Sequence, residues 1–377
     1  MKVLFLNYEY PPLGGGAGVA TRYLLNALDD FGDVTVDLVT SSTGRAHLEQ
    51  LTPRVRIHYL DIGKKGSLHY QTQCDLMTYA ARAFFYARKL LRRETFDLVH
   101  AFFGVPSGPV ARALGLPYII SLRGSDVPFY NERFEKLDRW VFRRLSRAVW
   151  GDAAFVVANS DGLRRLALKT APDEDIRVIY NGVDTDFFSP PGHRDVREAV
   201  ILVSTGRLIE RKGYHHLIEA LSGLDRVVLR LIGDGVEQER LTALAEAHHV
   251  RVEFMGPKSP GEVAEALKAA EVFVLPSLNE GMSNALLEAL ASGLPAIVTD
   301  VGGSRELVND NGVIVRKGDV PALRDAVKGY IENPSRARIH GERSRRKALE
   351  MSVSEMARKY RELYFQVMSQ SLSGRRR

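Results

Sequence analysis

Glu280 and Glu288 bracket the segment Glu280-Gly-Met-Ser-Asn-Ala-Leu-Leu-Glu288, which directly follows the apolar run Val272-Phe-Val-Leu275. Two carboxylates at this spacing occur by chance in most chains, so the spacing alone decides nothing. Its setting is more specific. Residues 272–275 read as a buried strand and 276–282 as a loop. Ser283 or Asn284 can cap a helix carrying 285–290, which Gly293 and Pro295 then stop. One carboxylate therefore stands on a loop at a strand's C-terminal end, and the other in the first turns of the next helix. A helix start presents free backbone N–H groups and the positive end of a dipole, a natural place for phosphate. Two acceptor-only carboxylates beside such a place suit a ligand that is part phosphate and part polyol.

Two further loops could handle phosphate. A strand over 199–204 runs into Thr205-Gly206-Arg207-Leu-Ile-Glu-Arg211-Lys212-Gly213. Glycines there let backbone approach a ligand, while Arg and Lys neutralise a diphosphate. Basic loops are also common without any ligand. The other loop, Pro11-Pro-Leu-Gly14-Gly15-Gly16-Ala-Gly18, lies between the first strand and a helix near 20–28. It is either a plain flexible turn or a backbone surface opened to a ligand at a helix start. Four glycines in five positions exceed what a turn needs. Together the three segments fit a nucleotide sugar.

The elements that would position them repeat one theme: short apolar strand, polar or Gly-rich turn, amphipathic helix. Strands are expected at 3–6, 34–39, 55–60, 98–101, 118–122 and 155–158. A second series is expected at 199–204, 227–232, 252–255, 272–275, 296–299 and 313–315. Such alternation predicts an α/β chain with two parallel sheets. The polar stretch Phe188-Ser-Pro-Pro-Gly-His-Arg-Asp195 reads as the linker. Expected domains are 1–187 and 198–352, with a ligand in the cleft between facing C-terminal strand ends. The tail 353–371 reads as a long helix with apolar residues at 353, 356, 360, 364 and 367, a stripe that needs a partner.

Composition sets the outer bounds. At 377 residues, with 45% hydrophobic and 26% charged residues, the chain suits two soluble α/β domains. One cysteine, Cys74, excludes an intramolecular disulfide and a cysteine-rich zinc site. The start Met1-Lys-Val-Leu-Phe-Leu6 turns polar too soon for a signal peptide, and no apolar run approaches membrane-spanning length. A cytoplasmic location is expected. The net charge of +6 is concentrated between 81 and 150, where thirteen Arg/Lys face six Asp/Glu. These basic helical faces are either a solvated surface or a peripheral dock for anionic lipid or a phosphorylated acceptor. No nucleic-acid module is recognisable.

A dinucleotide-dependent oxidoreductase fits poorly. Gly14-x-Gly16 would need glycine where Val19 stands, and Val39-Thr40-Ser41 offers no acidic residue for an adenosine ribose.

Read in order, the motifs resemble the retaining glycosyltransferases of sequence family 4, which have the two-domain GT-B fold. The likeness includes the Gly-rich loop, Leu122-Arg-Gly-Ser-Asp126, Val178-Ile-Tyr-Asn-Gly-Val-Asp184 and Gly206-Arg207…Lys212-Gly213. It continues through Leu231-Ile-Gly-Asp-Gly235, Glu280…Glu288, and Gly302-Gly303 with Glu306. Any one of these is weak, but the ordered set spans essentially the whole chain.

The resemblance implies a hexosyltransferase that uses a nucleoside-diphosphate sugar, UDP- or GDP-linked, with no cofactor and no metal. Arg207 and Lys212 would hold the diphosphate and stabilise the leaving nucleotide. Glu280 would face the sugar hydroxyls and Glu288 the ribose hydroxyls. Gly281, Met282 and Ser283 would add contacts near sugar and phosphate, and 255–258 would border the base. Gly15 and Gly16 would close over the donor from the other domain. The acceptor, a glycan, glycolipid or lipid-linked precursor, would bind the domain 1–187 and the nucleotide-sugar donor the domain 198–352, while the C-terminal helix 353–371 would return to the first domain. Family members often carry histidine where this chain has Arg123, so Arg123 and Asp126 are candidates for an acceptor or phosphate contact. Arginine cannot shuttle a proton but can hold an oxyanion. The same fold also hosts non-catalytic nucleotide-sugar binders, nucleotide-sugar epimerases and sugar phosphorylases.

Overall fold

The computed structural model describes residues 1–64, 71–130, 142–192 and 198–374. The chain divides into two compact units, Met1–Gly182 with Val353–Arg377, and Val183–Ser352.

The first unit is built on eight strands: β1 (Lys2–Leu6), β2 (Thr35–Ser42), β3 (His47–Thr52), β4 (Val55–Asp61), β5 (Leu98–Phe102), β6 (Tyr118–Leu122), β7 (Phe155–Ala158) and β8 (Ile176–Val178). Their order is β3-β4-β2-β1-β5-β6-β7-β8. Helices α1 (Gly16–Phe31), α2 (Gln73–Leu91), α3 (Ser107–Ala113), α4 (Arg143–Gly151) and α5 (Asp161–Leu168) alternate with them. Val3 to Leu6 and Leu98, Val99, Ala101 and Phe102 are fully buried. Covering a parallel sheet on both faces demands such continuous apolar runs. Only the β3–β4 pair is antiparallel among the described strands, an edge hairpin on an otherwise parallel sheet of the expected kind. β3 (His-Leu-Glu-Gln-Leu-Thr) is largely exposed on both faces, so no alternation of burial marks it in the sequence.

α1 begins at Gly16, earlier than expected, with Gly15 as a cap that contributes no side-chain bond. Gly16 and Gly18 thus lie in the first turn, where glycine costs roughly 1 kcal/mol relative to alanine. Close packing accounts for Gly18, since a Cβ there would lie 3.3 Å from the Glu9 carbonyl oxygen.

The second unit carries β9 (Val200–Thr205), β10 (Val227–Ile232), β11 (Val252–Gly256), β12 (Val272–Leu275), β13 (Ala296–Thr299) and β14 (Gly312–Val315). All pair in parallel, in the order β11-β10-β9-β12-β13-β14. Its helices are α6 (Tyr214–Leu221), α7 (Gln238–Ala247), α8 (Pro260–Lys268), α9 (Asn284–Ala291), α10 (Ser304–Leu307), α11 (Val320–Ile331) and α12 (Pro334–Leu349). Strand order reverses direction between β9 and β12. Loops leaving the C-terminal ends of those two strands flank the place where open α/β sheets bind ligands.

The boundary between units falls at 182/183 rather than after 187. Val183 N–H donates to Met351 O at 3.0 Å, and Arg345 Nη1 donates to the carbonyls of Thr185 (2.9 Å) and Phe188 (3.0 Å). These bonds fasten 183–188 to the second unit. Part of the expected linker, residues 193–197, lies outside the described residues.

The final helix, α13 (Val353–Gly374), packs into the first unit. Met356, Tyr360, Tyr364 and Val367 of its apolar stripe join that unit's core. His100 Nδ1 lies 2.7 Å from the Tyr364 hydroxyl, and Ser121 Oγ lies 2.9 Å from the Tyr360 hydroxyl. No helix among the described residues is long and apolar enough to cross a membrane.

Candidate active site

In the second unit, two loops meet at the switch point. The first leaves β9 through Gly206 and Arg207 into a single 3₁₀ turn, Glu210–Lys212, which Gly213 ends in the left-handed conformation. Gly213 must be glycine, because a Cβ there would sit 2.1 Å from the Pro276 carbonyl oxygen. The second loop leaves β12, and Leu278 N–H donates to Arg211 O at 2.8 Å to join the two.

This junction brings Lys212 and Glu280 into a largely buried ion pair, each side chain 12% exposed. Ser277 Oγ donates to the same Glu280 oxygen, Oε1, at 2.9 Å. Burial pushes the Glu280 carboxyl up. The Lys212 charge and hydrogen bond, the Ser277 hydroxyl and the Arg211 charge outweigh it and hold the carboxyl below its usual range. Both donors use Oε1, so Oε2 keeps its lone pairs for a ligand. Lys212 likewise has N–H donors left after one bond. Arg207, half-buried at the end of β9, stands on the same loop.

Gly281, Met282 and Ser283 connect Glu280 to α9. Ser283 Oγ caps that helix by accepting from Leu286 N–H at 3.3 Å, while Met282 and Ser283 are buried. Gly302 and Gly303 support the same turn from β13. A Cβ on Gly302 would lie 2.0 Å from Glu280 O, and Gly303 N–H donates to Gly281 O at 2.9 Å. Backbone packing therefore explains the Gly302-Gly303 pair.

Glu288 lies in the second turn of α9 and is half-buried. No donor to its carboxylate is present among the described residues, and burial alone pushes its pKa up to about 7. It is an acceptor with nothing yet to accept.

In the first unit, the loops after β1, β5 and β6 converge at that sheet's own reversal, between β1 and β5. Asp126 ties the loops after β5 and β6 together: Oδ2 accepts from Gly104 N–H at 2.6 Å, and Oδ1 from Arg123 N–H (2.9 Å) and Gly124 N–H (2.8 Å). Burial raises its pKa despite these bonds. Asp126 is thus spent on holding the loop. Arg123 is differently placed. Its Nη1 donates to Asn181 Oδ1 at 2.8 Å, its Nη2 to the Tyr360 hydroxyl at 3.3 Å, and its guanidinium carbon lies 4.1 Å from the Phe102 ring centre. All three partners are neutral, no ion pair to the guanidinium is present among the described residues, and its Nε has no hydrogen-bond partner there. Asn181 and Tyr360 are functional candidates that motif reading missed. Asn181 was inside a quoted motif, but its partner lies 58 positions away.

Gly15 N–H donates to Glu9 Oε2 at 3.2 Å, and a Cβ on Gly15 would meet nothing within 4 Å. Packing does not require glycine there, so open space over its backbone remains for a ligand. Gly16 opens α1 beside it. Among the described residues, no group of three or more His, Cys, Asp or Glu could hold a metal ion.

Residues 14–187 match the family described as Glycosyltransferase Family 4, and residues 189–347 match Glycosyl transferases group 1. The chain belongs to the group 1 glycosyltransferases. This glycosyltransferase is 26% identical to an uncharacterized glycosyltransferase of Methanocaldococcus jannaschii, over 97% of this chain and 98% of the relative. In structure it resembles the sucrose-phosphate synthase of Thermosynechococcus elongatus, with a TM-score of 0.85 and 22% identity over 98% of this chain and 99% of the other. It also resembles Anabaena HepE in complex with UDP-glucose, with a TM-score of 0.72 and 20% identity over 99% and 100% of the two chains. These likenesses establish the GT-B fold for the glycosyltransferase.

Proposed function

We propose that this glycosyltransferase moves a hexosyl group from a UDP- or GDP-linked sugar to a hydroxyl of a glycan, glycolipid or lipid-linked acceptor, with retention and without metal. The observation that carries this reading is the Lys212–Glu280 pair at the switch point, which sets a cation and an unspent carboxylate oxygen side by side. A nucleotide sugar presents diphosphate and hydroxyls in the same adjacency. The name of the HepE complex, which includes UDP-glucose, supports such a donor.

In this reading the bond from the anomeric carbon to the β-phosphate oxygen breaks, and its electron pair goes to the diphosphate. Lys212 and Arg207 stabilise that growing charge without a metal ion. The acceptor hydroxyl attacks the same face, and its proton passes to the leaving phosphate oxygen. Glu280 accepts from sugar hydroxyls through Oε2, and Glu288 accepts from ribose hydroxyls. The turn 281–283 offers backbone N–H groups to phosphate and sugar. Arg123, fixed by neutral partners, serves an oxyanion of the acceptor or donor. No protein nucleophile is needed.

The enzyme would act in the cytoplasm, with basic helical faces such as that of α4 meeting an anionic membrane that carries the acceptor. Residues 131–141 of the basic region lie outside the described residues. A thermal-shift panel of UDP- and GDP-sugars against bare nucleotides and adenine dinucleotides tests the donor class. Stabilisation by UDP- or GDP-sugars is expected. Stabilisation by dinucleotides alone would refute it.

A further inference from the structure

One cavity in the first unit has no part in the donor chemistry. It has a volume of about 400 Å³, within the roughly 300–1,000 Å³ range of small-molecule sites. Tyr10 on the loop after β1, Ser41 at the end of β2, and His47, Glu49 and Tyr59 of the β3–β4 hairpin line it, with Arg22 of α1.

Three features of this lining point to one kind of occupant. His47 lies flat on Tyr59, with ring centres 4.2 Å apart and planes 8° from parallel, so the exposed imidazole is backed by a second ring. Tyr59 is fixed in turn: its hydroxyl donates to Glu49 at 2.9 Å, and Tyr10 meets its ring edge-on at 6.3 Å. A doubled aromatic plate of this kind suits the flat C–H face of a pyranose. Second, Ser41 is 2% exposed, yet its hydroxyl has no hydrogen-bond partner among the described residues. A buried hydroxyl left in that state asks for a partner, and turned about its side-chain bond toward the cavity it would meet a sugar hydroxyl. Third, Arg22 and Glu49 place one cation and one anion on the lining. That balance fits a neutral ligand better than a phosphosugar or nucleotide.

We propose that this cavity binds a neutral pyranose of the acceptor. The assignment of that sugar to the acceptor rests on the glycosyltransferase reading above, and its position fits: Tyr10 stands on the same loop that leads to Gly15, at the C-terminal end of the sheet. The antiparallel edge strand β3 then has a purpose, since it carries His47 and Glu49 to the cavity.

Saturation-transfer NMR on the full chain, without donor, tests the assignment. The probes are the methyl α-pyranosides of glucose, mannose and galactose, with glucuronate and glucose 6-phosphate as charged controls. At least one neutral glycoside should bind saturably, and His47→Ala should weaken it about fivefold or more. His47 is exposed, so its loss should leave the melting temperature in place. Ser41→Ala is the second variant, expected to weaken the same glycoside severalfold. Binding of charged sugars only, absence of any neutral binding, or binding indifferent to both substitutions would overturn the proposal. Slow donor hydrolysis by the wild-type chain, measured separately, tests the transferase reading on its own. A chain that hydrolyses donor but fails the sugar test would lose only this inference.

Discussion

Glu280 Oε1 accepts from both Lys212 and Ser277, while no donor to Oε2 is present among the described residues. Lys212 is therefore not simply an exposed cation waiting for phosphate. Its charge holds a buried carboxylate in place before any ligand arrives.

Replacing Lys212 with alanine should damage both turnover and stability. Losing a charged stabiliser of the leaving group typically costs about 2–4 kcal/mol of transition-state stabilisation, so kcat should fall roughly 10²–10³-fold. Breaking a buried pair leaves Glu280 uncompensated, at about 3 kcal/mol. Turnover at saturating donor, together with urea unfolding at pH 7, would check both. Because Glu280 titrates below its usual value, the pair's stabilisation is present above the ordinary glutamate range and disappears as pH falls through the lowered pKa. Unchanged turnover would remove Lys212 from the diphosphate.

Glu288 should show the opposite pH behaviour. Its folded pKa of about 7 lies above the ordinary value of 4.5, so its contribution to stability is complete below 4.5 and is lost as pH rises through 7. Glu288→Gln should thus stabilise the protein at pH 8, by up to about 3 kcal/mol, and change little at pH 4. The same variant should weaken donor binding, because a carboxylate accepts from two ribose hydroxyls and an amide replaces one acceptor with a donor. Wild-type donor affinity should also fall as pH drops through 7. Calorimetric melts and donor titrations at both pH values would check the pattern.

Much of this architecture was legible in the chain. β6, β7, β10, β12 and β13 span the residues expected of them, because buried parallel strands are short apolar runs bounded by turn residues. β3 escaped, since an exposed edge strand has no buried face to impose a pattern. The loops of the site were legible as glycines and charges after strands. Their internal wiring was not: the Lys212–Glu280 pair spans 68 positions and the Arg123–Tyr360 contact spans 237. Such contacts depend on sheet order, which no local pattern encodes. The pair Gly302-Gly303, noted as a motif, proves to be the packing that lets Glu280 and Gly281 hold their turn.

Tyr360→Phe should separate the position of Arg123 from its presence. The substitution removes the hydroxyl that accepts from Arg123 and meets Ser121, costing about 1 kcal/mol of stability. Acceptor KM or kcat should worsen severalfold while donor affinity changes less. Arg123→Lys should not rescue an Arg123→Ala loss, because a point-like ammonium cannot reach two acceptors in one plane. Steady-state kinetics with varied acceptor would show this. Full activity in Tyr360→Phe would reduce the contact to packing.

The basic faces make a prediction about salt. If they meet a membrane, the protein should float with vesicles rich in anionic lipid at low ionic strength and dissociate as salt rises, since screening shortens the reach of exposed charges to about 8 Å at physiological strength. No flotation at low salt would leave these arginines as a solvated surface.

The central claim is transfer from a nucleoside-diphosphate sugar with retention and without metal. Its most direct measurement is proton NMR of the chain incubated with UDP- and GDP-hexoses in EDTA. The spectrum follows nucleotide release and the anomeric signal of the freed sugar before mutarotation. Release of nucleoside diphosphate from at least one donor, with the donor's anomeric configuration kept, is the predicted result. Release of the opposite anomer, or activity that returns only when Mg²⁺ is restored, would contradict it.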